Sequence, residues 1–119
     1  MALWGAAFKA GTDDVRDSPA LDVAARLREL GAMVTVYDPL AVDNARAIHP
    51  ELEYVPHPVG VAAGADVLVI ATGCDEFRKI DPESVGAVVA SRTAIDAAQV
   101  VDVGEWERAG WAVRVLGQG

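Results

Sequence analysis

The chain has 119 residues, 52% of them hydrophobic, which suits a single domain spanning 1–119 that buries roughly two-thirds of its unfolded surface. Eighteen acids against ten bases give a net charge of −8, which excludes a general nucleic-acid or membrane-surface binder and leaves phosphate ligands only to a locally positive pocket. One cysteine, Cys74, excludes an internal disulfide, and no apolar run approaches the roughly 20 residues of a membrane span or resembles a signal peptide, so the expected compartment is the cytoplasm.

Met1 to Trp4 is a short apolar strand, and the chain opens directly inside it, as an excised domain would. A polar, charged loop follows from Gly5, and Ser18-Pro19 is a helix start: serine caps free amides and proline suits the first turn. Ala20, Val23, Ala24, Leu27 and Leu30 repeat at helical spacing opposite Asp22, Arg26 and Glu29, and Gly31 ends the helix. Met33 to Tyr37 predicts a buried strand, stopped by Asp38-Pro39. A short helix over 41–48, a strand over 53–55 and a second short helix over 59–63 come next. Asp66 to Ala71 is the clearest central strand, its unbroken apolar character fitting a parallel strand covered on both faces. Asp81-Pro82 opens a helix to about Ala90; 94–96 predicts a strand, 103–109 a helix and 111–116 a closing strand.

Strands alternating with helices define βαβ units. The expected fold is an α/β, Rossmann-like three-layer αβα sandwich with a mostly parallel sheet of about five or six strands. Ligands of such sheets bind outside the carboxyl ends of the strands. The loop after the first strand lies there, and it holds Lys9, Thr12, Asp13, Asp14, Arg16, Asp17 and Ser18.

Within that loop, Lys9 can bring a mobile point charge to a phosphate or sugar oxygen, or sit solvated against Asp13 or Asp14. Arg16 offers a planar fork for a pyrophosphate, or makes a structural ion pair with Asp13, Asp14 or Asp17. The reading depends on both cations facing one cleft. The turn reads Gly5-Ala6-Ala7-Phe8-Lys9, without the Gly-x-Gly-x-x-Gly of a dinucleotide site or a phosphate-binding P-loop. Asp38 imitates a ribose-binding acid but is better explained as a strand stop. Cys74 has no base predictably near it, and no Cys/His cluster has metal-ligand spacing, so no catalytic or metal residue is assigned.

Ala-Phe-Lys-Ala-Gly-Thr-Asp-Asp-Val-Arg-Asp-Ser-Pro-Ala, from Ala7 to Ala20, resembles the opening signature of the carboxyl-terminal, UDP-binding domain of the UDP-glucose/GDP-mannose dehydrogenase family. Val36-Tyr37-Asp38-Pro39, Asp75-Glu76-Phe77-Arg78, and Ile95-Asp96 followed by Trp106 and Gly110 fall in the family's order. The resemblance covers nearly the whole chain. It implies a nucleotide-sugar-binding domain of an NAD-dependent UDP-sugar 6-dehydrogenase, an enzyme that oxidises a sugar-nucleotide C6 alcohol to a carboxylate. It further implies Lys9 and the backbone of Phe8 on the substrate side and Arg16 on the NAD side. NAD would be bound mainly by an amino-terminal domain that also carries the catalytic cysteine; the parent would be a homodimer, and this stretch alone would be inactive.

Two positions depart from the family. Cys74 stands where tryptophan is usual, and Asp96-Ala97-Ala98-Gln99 replaces Asp-Gly-Arg-Asn, so Ala98 offers no charge where the family has arginine. One guanidinium fewer at a diphosphate removes on the order of 1.5–3 kcal/mol of charge-assisted hydrogen bonding. Either another residue such as Arg92 compensates, or the sugar nucleotide differs, or recognition has been lost. The last case leaves a non-catalytic binding or assembly module, with Trp4, Trp106 and Trp111 either forming an exposed interface or lying in the core. A receiver-like domain is a third alternative, prompted by Asp13 and Asp14, but the central strand lacks the terminal aspartate it needs.

Overall fold

The computed structural model describes residues 1–7, 12–16 and 18–116. Six strands, β1 (Ala2–Trp4), β2 (Thr35–Tyr37), β3 (Glu53–Tyr54), β4 (Leu68–Ile70), β5 (Thr93–Asp96) and β6 (Ala112–Val115), form one sheet in the order β3-β2-β1-β4-β5-β6, every neighbouring pair parallel. This is the doubly wound order whose direction of winding reverses between β1 and β4. The register places Trp4 beside both Tyr37 and Ile70, so the ends of the three central strands lie level.

Alternation along the strands builds two cores. Leu3 and Val36 face α1 (Pro19–Glu29) and α2 (Val42–Ile48), meeting Leu21, Ala24 and Ala45. Trp4, Leu68 and Ile70 face the other layer. That layer comprises a 3-10 turn (Gly60–Ala62), α3 (Asp75–Arg78), α4 (Pro82–Gly86) and α5 (Val103–Arg108), which contribute Val61, Phe77, Val85 and Trp106. All three tryptophans are buried here. Trp4 stacks on Phe77 at 5.0 Å between centroids, Trp106 and Trp111 meet at 4.8 Å, and the indole N–H groups of Trp4 and Trp111 donate to the carbonyls of Pro58 and Pro82. An exposed tryptophan interface is therefore excluded; the rings are core.

The helix starts follow their caps. Ser18 Oγ accepts the Leu21 amide at 3.3 Å, and Asp81 accepts the Glu83 amide at 2.9 Å. Two expectations change. On α1 only Leu21 and Ala24 are buried, whereas Val23 and Leu30 are exposed, because the sheet meets a narrower stripe than the apolar spacing suggests. The helix expected to reach Ala90 stops at Gly86: the Val88 carbonyl accepts the Gly64 amide and the Ala90 amide donates to Ala65, drawing the chain to the 63–65 turn.

Candidate functional site

The site is built where the central strands end. Gly5 leaves β1 with φ +103°, its amide donating to the Tyr37 carbonyl at 2.8 Å, and a Cβ here would collide with the Thr72 hydroxyl beyond β4. Both the left-handed backbone and the close approach exclude a side chain. Thr72 is buried and lies 3.3 Å from the Cys74 sulfur through its own hydroxyl. The two turns at the reversal point are thus sealed against each other at their base.

Asp38 does more than stop β2. Its carboxylate is 4% exposed and is surrounded by amides: Oδ2 accepts from Ala6 at 2.8 Å and Ala7 at 3.2 Å, and Oδ1 accepts from Leu40 at 2.8 Å and Ala41 at 2.9 Å. One side chain therefore ties the exit of β1 to the entry of α2, and charge-assisted bonds to four amides hold it in place. Asp96 repeats the device at the end of β5. Fully buried, it accepts from Ala98 at 3.1 Å through Oδ1 and from Val100 at 2.7 Å and Val101 at 2.9 Å through Oδ2. Gln99, inside that turn, takes φ +58°.

Across the end of β1, the Tyr37 hydroxyl donates to the Glu76 carboxylate on α3. Burial first, and the Glu76 carboxylate second, push the Tyr37 phenol above the ordinary tyrosine value. Arg78, on the same short helix, donates to the Gly73 carbonyl at 3.0 Å and to Asp75 at 2.8 Å, which keeps its guanidinium beside the turn after β4.

Phe8 and Lys9 lie outside the described residues. Arg16 is described, and among the described residues it forms an ion pair with Asp14. The Arg16 backbone N–H and Nε both donate to Asp14 Oδ1 at 3.0 Å and Nη2 donates to Oδ2 at 2.9 Å. The Arg16 side chain stays 83% exposed. These hydrogen bonds lower the Asp14 carboxyl to about 2. The Asp14 amide donates to Thr12 Oγ1 and Asn44 on α2 donates to the Asp13 carbonyl at 2.9 Å, so the 12–16 segment is tied to α2. Between them opens a hollow of about 590 Å³ lined by Thr12, Asp14, Arg16, Asn44 and Ile48. Arg16 thus stands at a hollow with its fork already oriented by a carboxylate.

Arg92 cannot replace the missing guanidinium at position 98. It precedes β5 and therefore sits at the amino edge of the sheet, opposite the Asp96 turn, where it donates to the Ala109 carbonyl at the end of α5 and approaches Glu83 at 3.4 Å. Its guanidinium lies against Gly86, where a Cβ would meet it at 2.7 Å. Sequence reasoning also missed α3, the Tyr37–Glu76 bond and the anchoring role of Asp38. Among the described residues no cluster of three or more His, Cys, Asp or Glu is placed to hold a metal, and no helix is long and apolar enough to cross a membrane.

An all-parallel doubly wound sheet whose carboxyl edge gathers the polar turns is a nucleotide-binding class of α/β domain. Residues 2–103 match the model of the UDP-glucose/GDP-mannose dehydrogenase family, UDP binding domain, and the chain belongs to that family. It is 36% identical over 118 residues to a UDP-glucose 6-dehydrogenase of Rhizobium meliloti, covering 99% of this chain and 27% of that protein. It is 38% identical over 101 residues to the UDP-glucose 6-dehydrogenase AglM of Haloferax volcanii, covering 85% of this chain and 23% of that one. Among solved structures, a UDP-D-ManNAc dehydrogenase from Pyrococcus horikoshii superposes with a TM-score of 0.77 at 30% identity, over 99% of this chain and 25% of that one. The chain thus spans about a quarter of the length of the relatives it matches.

Proposed function

We propose that this chain binds the nucleotide sugar in a UDP-sugar 6-dehydrogenase and that a parent enzyme carries out the NAD-dependent oxidation of the C6 alcohol to a carboxylate. Lys9, with Phe8 beside it, serves the substrate side, and Arg16 the cofactor side. The single observation that supports this best is the family signature running into the 12–16 segment, which presents the Arg16 fork at a hollow between that segment and α2. The chemistry belongs to the rest of the parent, which supplies the nucleophile and a partner domain in a cytoplasmic homodimer.

NAD, when bound, accepts the hydride. Among the described residues of the first turn, the Ala6 and Ala7 amides that would offer its pyrophosphate a seat already donate to Asp38. The contribution of this chain to the cofactor in this reading is the Arg16 side chain, as the family resemblance implies, approaching a dinucleotide held elsewhere.

Titration of the 119-residue chain with UDP and UDP-glucose by calorimetry tests the substrate reading. Binding is expected to be weak, with Kd on the order of a millimolar, and lost in Lys9→Ala. Unchanged affinity in Lys9→Ala removes the substrate role of that residue. No affinity for any UDP-sugar would favour a module that lost recognition with the arginine at position 98.

A further inference from the structure

In doubly wound folds, the first turn after the central strand commonly presents free backbone amides, and these receive the phosphates of the ligand. The corresponding turn of this chain has its amides turned inward. Ala6 and Ala7 donate in succession to one oxygen of Asp38, and the second oxygen of the same carboxylate takes Leu40 and Ala41. Consecutive amides converging on an anion form an anion-binding concavity. Here the anion is supplied by the protein, covalently attached, and 4% exposed.

We infer that Asp38 permanently occupies the anion seat of the first turn, so that the Ala6 and Ala7 amides do not receive the phosphates of a nucleotide sugar bound at this edge. This rests on the nucleotide-sugar reading above and deepens it. Two further observations support it. Gly5 and Thr72 pack so closely at the base of the turn that not even a Cβ would fit between them. Asp96 takes the amides of Ala98, Val100 and Val101 at the turn after β5, so two turns on the same edge of the sheet lose backbone donors in the same way. Asp38 is accordingly a positioning residue. It fixes the origin of the loop bearing Lys9 and Arg16, and its charge screens the turn from a second anion.

The test is anion rescue. Asp38→Ala removes the internal anion and leaves the concavity open to a small one. In thermal melts at constant ionic strength, acetate or inorganic phosphate in place of chloride should raise the Tm of Asp38→Ala saturably, by several degrees more than in the wild type at ten times the apparent Kd. A variant that chloride, acetate and phosphate stabilise equally overturns the inference. Should Asp38→Ala fail to fold, the wild type decides: its Ala6 and Ala7 amide resonances should stay still as inorganic phosphate or UDP is added, and saturable shifts at those two amides overturn the inference. Failure of the underlying function is separable, because a wild type that binds no UDP-sugar contradicts the nucleotide reading while the rescue of Asp38→Ala by acetate still reports the seat.

Discussion

The turns at Asp38 and Asp96 differ from the 12–16 segment in how each handles charge. At the first two, a carboxylate is buried and satisfied by four and by three backbone amides, which locks the backbone and leaves little for a ligand to rearrange. At the third, a carboxylate and a guanidinium meet in the open, with side chains 35% and 83% exposed. The buried carboxylates sit in a low dielectric where a lost partner is expensive, whereas the exposed pair exchanges readily with water. Rigidity is therefore concentrated at the base of the loop and adaptable charge at its rim. This division suits the nucleotide-sugar site proposed above, which needs a fixed base and an adaptable rim.

The comparison breaks most visibly if a buried carboxylate is removed. Asp96→Ala orphans three amides in a fully buried turn and is expected to cost on the order of 3–5 kcal/mol, a large share of a small domain's stability, read as a shift in the urea midpoint. Next comes Gly5→Ala, which combines a left-handed backbone with a clash against Thr72. Its expected cost is about 2–4 kcal/mol, and Thr72→Ala in the same chain should recover the packing part but not the backbone part.

Tyr37→Phe removes one hydrogen bond and should cost about 1 kcal/mol at neutral pH. It has a sharper signature in alkali. The folded phenol is raised above its unfolded value, so the folded state holds the proton longer, and the stability this provides is complete below pH 10 and falls as the pH rises beyond it. Tyr54, pushed up to about 12 chiefly by burial, adds a parallel loss, so Tyr37→Phe should flatten the alkaline decline without abolishing it. A decline identical in both proteins would contradict the Tyr37–Glu76 bond.

The smallest effect is predicted at the rim. Asp14→Asn should leave the melting temperature at neutral pH within error, because the pair is solvated. The wild-type Asp14 carboxyl should titrate near pH 2 by NMR, and a value near 4 would mean the bidentate pair with Arg16 is absent in solution.

Much of this arrangement was legible in the residues. Ser18-Pro19 and Asp81-Pro82 announced their helices through local chemistry, and the apolar run 66–71 announced a doubly covered strand, because each signal acts over a few residues. The Arg16–Asp14 pair was among the local alternatives for the same reason. The work of Asp38 was not legible, since its partners Ala6 and Ala7 lie more than thirty positions away and only the register of β1 against β2 brings them together. The failure of Arg92 as a substitute guanidinium was readable in principle: a residue before a strand belongs to the edge opposite one that follows it.

Chemical-shift mapping of the 119-residue chain during titration with UDP-glucose tests the central claim most directly. The account predicts saturable changes centred on Phe8 and Lys9 and on residues 97–101, with Ala6 and Ala7 still. Changes centred on the amino edge around Arg92, or none at saturating ligand, would contradict it.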